Sequence, residues 1–217
     1  DTITVPSNWE IQGFGEPIIR NIQYVFSSNP PYIDVDNPVG TYRRTFTVPR
    51  NWQEREVFLH FGSISGYARI YVNGQQVGMT KASKTPAEFN VTNYLKEGEN
   101  LLAVQIYRWH DGSYMEDQDF WRLTGIERDV FLQAYPKLTI WDFFLKSSLD
   151  STYKNGIFNA TVDLREFTGN NVKKGTLKLE LLDKTGKIVL SQQKKFDIED
   201  EFTQLAFSGV IKNVSKW

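Results

Sequence analysis

Residues 67–74 read YARIYVNG, and their reading decides the fold. Ala68, Ile70 and Val72 alternate with Tyr67, Arg69 and Tyr71. A period of two sends successive side chains to opposite faces of a strand. Asn73-Gly74 follows at once, and both residues tolerate the positive φ that a two-residue hairpin turn requires. The same alternation recurs on either side. In EVFLHFG, Val57, Leu59 and Phe61 share a face; in LLAVQIYRW, Leu102, Val104 and Ile106 do; in DVFLQAY, Val130, Leu132 and Ala134 do. No helical period runs longer than two turns. Short strands separated by turn signals make an all-β chain, and their spacing predicts a β-sandwich.

The pattern breaks at Tyr135-Pro136-Lys137, because proline has no N–H to give a strand ladder. Two domains follow from this, 1–136 and 137–217. The second is richer in Lys and poorer in Trp. GIFNATVDLREF and TLKLELLDKTGKIVLSQ read as sheet, with Leu177, Leu179 and Leu181 on one face and Thr185-Gly186 at a turn. An immunoglobulin-like sandwich takes about seven strands, and about four or five are legible here, so this domain is expected to be cut short at its C-terminus. The opening segment, through NPPYIDVDNPVGTYRRTF, is Pro-, Gly- and Asn-rich with little periodicity. Loops of that length are usually functional or packed on a neighbour.

Composition narrows the function classes. The 25 basic and 26 acidic side chains nearly balance, which disfavours nucleic acid and anionic membrane as partners, since both need a cationic surplus. No apolar run approaches the ~20 residues of a membrane span. The opening DTITVPSNWE has neither the basic start nor the apolar core of a secretory leader. With no cysteine, disulfides, thiolate metal sites and a cysteine nucleophile are excluded, while cytoplasmic and periplasmic locations both stay open. There are two histidines. His60 reads as a sheet-face residue opposite Leu59 and Phe61, and His110 has no second histidine beside it, so neither a zinc triad nor a Ser-His-Asp site has its parts. No phosphate-binding loop and no dinucleotide fingerprint is present. Aromatics make up 14% of the chain; most read as core and sheet packing, where they fit well, and some are left for sugar-facing surfaces.

The chemistry concentrates in residues 111–129, DGSYMEDQDFWRLTGIERD. Asp111, Glu116, Asp117, Asp119, Glu127 and Asp129 sit among Tyr114, Phe120 and Trp121. Glycoside hydrolysis needs two carboxylates opposed across a bond, one with a raised pKa, and near neighbours on one loop do not oppose each other in that way. A metal or sugar contact by one or two of these carboxylates remains open. So does a solvated loop salt-bridged by Arg108, Arg122 and Arg128.

Several of these stretches resemble a known family. VPSNWEIQGFGEPI, YVNGQQVGMTKASKTPAEFNVTNYL and, above all, RWHDGSYMEDQDFWRLTGIERDV are similar to the sugar-binding N-terminal domain of bacterial β-galactosidases of glycoside hydrolase family 2. The remainder is similar, by order and pattern, to the immunoglobulin-like domain that follows it. The resemblance implies a jelly-roll, galactose-binding-like sandwich, then an immunoglobulin-like sandwich. It implies a fragment without its catalytic TIM barrel, so no catalytic residue is expected here and both glutamates belong to the barrel. It assigns Asp119 to galactose hydroxyls and to a sodium ion, a hard cation suited to a carboxylate. It places Ser65 at a second sugar contact, where the family carries Asn or Asp, a departure to a shorter, uncharged side chain. Magnesium, where bound, would take its ligands from the barrel, and no ion is expected tightly bound to these residues alone. The implied partners are the barrel of the same chain and a galactoside, while an oligomer of the complete enzyme stays open. A free-standing carbohydrate-binding module and a structural β-sandwich are the competing readings. A related enzyme of different sugar specificity ranks lower, because β-glucuronidase and β-mannosidase relatives share the jelly roll but do not usually carry an EDQDFWR-like run.

Overall fold

The computed structural model describes residues 1–19, 24–116 and 120–216. The chain divides into two compact units, Asp1–Ala134 and Tyr135–Trp217. Strands of the first run β1 (Ser7–Asn8), β2 (Val39–Thr47), β3 (Glu56–Phe61), β4 (Ile64–Ser65), β5 (Tyr67–Val72), β6 (Gln75–Thr80), β7 (Ala87–Asn90), β8 (Glu99–Tyr107), β9 (Gly125–Ile126) and β10 (Val130–Tyr135). They form a four-stranded sheet in the order β2-β8-β5-β6, a three-stranded sheet β10-β3-β7, and a short ribbon β1-β9-β4. All the register-defined pairs are antiparallel.

The alternating residues meet between the two larger sheets. Val57, Leu59 and Phe61 come from one sheet, and Ala68, Ile70, Val72, Val104 and Ile106 from the other, all in one buried cluster. Leu102, Leu132, Ala134 and Val130 pack at its margin. Asn73 and Gly74 both adopt positive φ, 51° and 82°, the hairpin geometry their sequence calls for. Asn73 does more than turn the chain. Its Nδ2 donates to Tyr94 O and to Asn100 Oδ1, both at 2.8 Å. His60 lies on the face away from the core, stacked on Phe131 at 4.4 Å and bonded to Glu88 at 2.7 Å.

The second unit holds β11 (Leu138–Leu149), β12 (Gly156–Glu166), β13 (Lys174–Leu182), β14 (Ile188–Asp197) and β15 (Phe202–Ile211). One sheet is β11-β12-β15 and the other is the hairpin β13-β14. Leu177, Leu179, Leu181 and Leu190 pack onto Phe158, Ala160, Val162 and Phe207. Register puts Phe143 opposite Val162 and Leu145 opposite Ala160, hence on that same inner face. Yet Phe143 is 61% and Leu145 51% exposed, so the hairpin covers β12 and β15 and leaves β11 open. Among the described residues no helix is long and apolar enough to cross a membrane.

Candidate functional site

The site is built where β8 ends. The strand's last rungs are continued by side chains: Trp109 N–H donates to Asn37 Oδ1 at 2.8 Å and Asn37 Nδ2 returns a bond to Trp109 O at 2.7 Å. The chain then makes a 3-10 turn over Asp111–Tyr114, capped by His110. His110 Nδ1 accepts the Gly112 N–H at 3.1 Å, and the His110 N–H donates to Ser113 Oγ at 3.1 Å. Capping of this kind satisfies N–H groups that a helical turn leaves unpaired.

The loop between β6 and β7 comes down onto this turn. Lys81 Nζ meets Asp111 Oδ2 at 2.7 Å, and Ser83 N–H donates to Glu116 Oε1 at 3.2 Å. Lys84 reaches further. Its Nζ donates to Glu127 Oε1 at 2.9 Å and to Ser65 Oγ at 3.3 Å, and lies 4.9 Å from the centre of the Phe120 ring. Glu127 also accepts from Asn8 Nδ2 and Ser63 Oγ, so its carboxylate knits the short ribbon to the loop. The hydrogen bond from Lys81 holds the Asp111 carboxyl below its ordinary value. Burial pushes Glu116 upward, but the His110 ring and the Ser83 bonds outweigh it and the net shift is down. Both shifts run opposite to what a general acid needs.

A cavity of about 90 Å³ opens between these parts, lined among others by Ser65, Ser83, Lys84, His110, Glu116 and Phe120. Beneath it lies a buried polar layer. Glu10 Oε2 accepts the Thr124 N–H at 2.9 Å, and Arg108 Nε stands 3.6 Å from Glu10 Oε1. Arg108 also donates to the carbonyls of Glu16 and Arg122. Burial, then the Glu10 charge, pushes the Tyr42 phenol up to about 12. The irregular segment before β2 is tied in through aromatics. Tyr114 Oη contacts the carbonyls of Ser27 and Tyr32 at 2.9 and 2.6 Å, and Phe26 packs edge-on against Tyr114 and Trp109.

Of the sequence-derived site residues, Ser65 is buried on β4 with its hydroxyl held by Lys84. Asp119, with Asp117, lies outside the described residues. The described acidic residues take partners from outside the arginine set. Arg108 faces Glu10 and Arg122 lies over the Tyr24 ring, while Lys81, Lys84 and His110 face the loop carboxylates. Nothing in the spacing of KASKT signals that role, because the contact is made across the fold. Among the described residues there is no group of three or more His, Asp or Glu placed to hold a metal ion.

Residues 1–136 match the family described as glycosyl hydrolases family 2, sugar binding domain. The whole chain is 38% identical to a β-galactosidase of Priestia megaterium, covering 22% of that protein. It is 42% identical over 88% of its length to a β-galactosidase of Vibrio cholerae, covering 18% of it. The chain thus spans about a fifth of the length of the curated relatives it matches. Among solved structures, a Bacteroides uniformis β-glucuronidase superimposes over 85% of this chain and 23% of its own, with a TM-score of 0.72 at 23% identity. A β-D-mannosidase of Dictyoglomus thermophilum covers 80% of this chain and 24% of its own, with a TM-score of 0.64 and 23% identity. At that identity the likeness is one of fold.

Proposed function

The chain belongs to family 2 of the glycosyl hydrolases through its sugar binding domain, and we propose that it is the non-catalytic front of a retaining β-galactosidase acting on terminal β-D-galactosyl residues. The observation that carries this is the end-to-end match to a protein named as a β-galactosidase, of which the chain spans only 22%. The activity is then a property of the whole protein. Both catalytic glutamates come from a TIM barrel of the same chain, and this domain adds a wall to its pocket.

In this reading Asp119 accepts hydrogen bonds from galactose hydroxyls and is one oxygen ligand of a sodium ion. A carboxylate suits both tasks, being charged and a hard donor. In the same reading the remaining sodium ligands, like any for magnesium, come from the barrel. The turn over 111–114 and Glu116 after it are braced by Lys81 and Ser83. Ser65 lines the same cavity, with Lys84 between it and Glu127.

The test is Asp119→Asn in the complete enzyme. It keeps the shape and removes the charge. Losing a charged hydrogen bond in a partly enclosed pocket costs about 1.5–3 kcal/mol, so galactoside turnover should fall roughly ten- to hundred-fold. Dependence on sodium should vanish, while the melting temperature of residues 1–217 stays put. Unchanged kinetics with an unchanged sodium response would leave the acidic loop a solvated connection. The 217-residue chain by itself should turn over no aryl β-galactoside.

A further inference from the structure

We propose that His110 and Glu116 form a clamp for one hydroxyl group of a sugar or polyol, at the cavity between the β6–β7 loop and the 110–116 turn. This rests on reading the domain as sugar-binding, but it uses residues other than Asp119. The His110 side chain is only 5% exposed, and its Nε2 has no hydrogen-bond partner among the described residues. Its tautomer is fixed by the cap. Nδ1 accepts the Gly112 N–H at 3.1 Å, so in the neutral ring the proton sits on Nε2. His110 lines the cavity, and its buried Nε2–H has no hydrogen-bond partner among the described residues, an arrangement that is costly unless a ligand completes it.

Glu116 supplies the other half. Its Oε1 is engaged by Ser83 N–H at 3.2 Å, which orients the carboxylate, and its Oε2 stands 3.6 Å from His110 Nε2. That separation is too long for a hydrogen bond between the two. A hydroxyl beside the pair, about 2.8 Å from each, accepts from Nε2–H and donates to Oε2. It is the group with one donor and free lone pairs that this donor–acceptor pair requires. A cation is opposed by the N–H, and an anion by the carboxylate. Two nearby polar groups of the lining are already engaged: Lys84 with Ser65 and Glu127, and Ser83 Oγ with the Gly66 N–H.

Size sets what can enter. At about 90 Å³ the cavity is far below the ~300–1,000 Å³ of a pocket that encloses a whole small ligand, so it suits one hydroxyl-bearing arm of a sugar seated outside it. Phe120 gives the cavity an apolar wall for the carbon that carries the hydroxyl.

The test is titration of the 217-residue chain with methyl β-D-galactoside, following the His110 ring resonances and the affinity. A saturable His110 shift is expected. His110→Ala should weaken binding about tenfold or more, the effect of one lost buried hydrogen bond. His110→Gln, whose amide N–H can stand in for Nε2–H, should restore most of it, with thermal melting confirming that both variants fold. No saturable shift in the native chain, or native affinity in His110→Ala, overturns the clamp. Asp119→Asn run in parallel separates the two readings. Binding lost there but kept in His110→Ala upholds the Asp119 role and removes the clamp. The reverse result upholds the clamp and confines any Asp119 contact to the complete enzyme, where the barrel closes the pocket.

Discussion

Tyr42 shows how one side chain carries the cost of the buried polar layer. Burial first, and the Glu10 charge second, raise its phenol from 10.0 to about 12. A raised pKa means that its contribution to stability is complete below pH 10 and is lost as pH rises through about 12, since the unfolded chain ionises first. Alkaline unfolding of the first unit should therefore set in across that window, with one tyrosine absent from the early part of a spectrophotometric titration. Tyr42→Phe should flatten the window. Asn100 is the second informative residue. It is fully buried, yet its amide is satisfied by Asn73, by the Lys96 N–H and carbonyl, and by the Gly98 carbonyl. Asn100→Ala would leave several of these unpaired, at about 1–3 kcal/mol for each buried group orphaned. Chemical denaturation should show a loss of that order or more, and a near-neutral result would mean that water replaces the amide.

The strands were legible wherever one face is buried and the other wet. Ala68, Ile70 and Val72 are all at 0% exposure, as their alternation requires. What alternation does not show is how closely backbone and ring approach. β2 contains Gly40, and a Cβ there would sit 2.0 Å from Trp9 Cζ3. The Trp9 ring thus lies on bare backbone, which ties the short ribbon segment to the main sheet. Gly40→Ala should expel the ring, at about 1–3 kcal/mol for an overpacked site. A red-shifted tryptophan emission with lowered stability checks this; native emission and stability would show that the strand yields instead. The lysines of the β6–β7 loop belong to the same lesson. Lys84 adopts a φ of 64°, uncommon for a side-chain-bearing residue, while its ammonium binds Ser65 and Glu127. The sequence around it reads as an ordinary polar turn.

The two units differ in what they bury. The first encloses a cluster that includes Phe61, Ile64, Ile70 and Ile106 at 0–1% exposure, whereas the second centres on Phe158, Ala160, Val162 and Phe207 with the inner face of β11 uncovered. Apolar burial is the main driving force for folding, so the second unit should be the less protected. Amide exchange of the dilute chain should be faster in β11 and its neighbours than in β3, β5 and β8. Equal protection in both units would mean that the open face costs little. Sequence by itself determined the all-β class, the Asn-Gly turn, the core faces of the strands and the family, because each is written in a local window: pleat period, turn chemistry, an unbroken motif. It also drew attention to residues 111–129. It did not reveal that Lys81 and Lys84 answer Asp111 and Glu127, that Asn8 joins them, or that His110 and Glu116 share a cavity. Those pairs lie 30, 43 and 119 residues apart along the chain for Lys81–Asp111, Lys84–Glu127 and Asn8–Glu127. Only the tertiary structure decided them, because strand order and register set which loops meet, and a side chain's partner across such a junction leaves no periodic trace in the residues on either side.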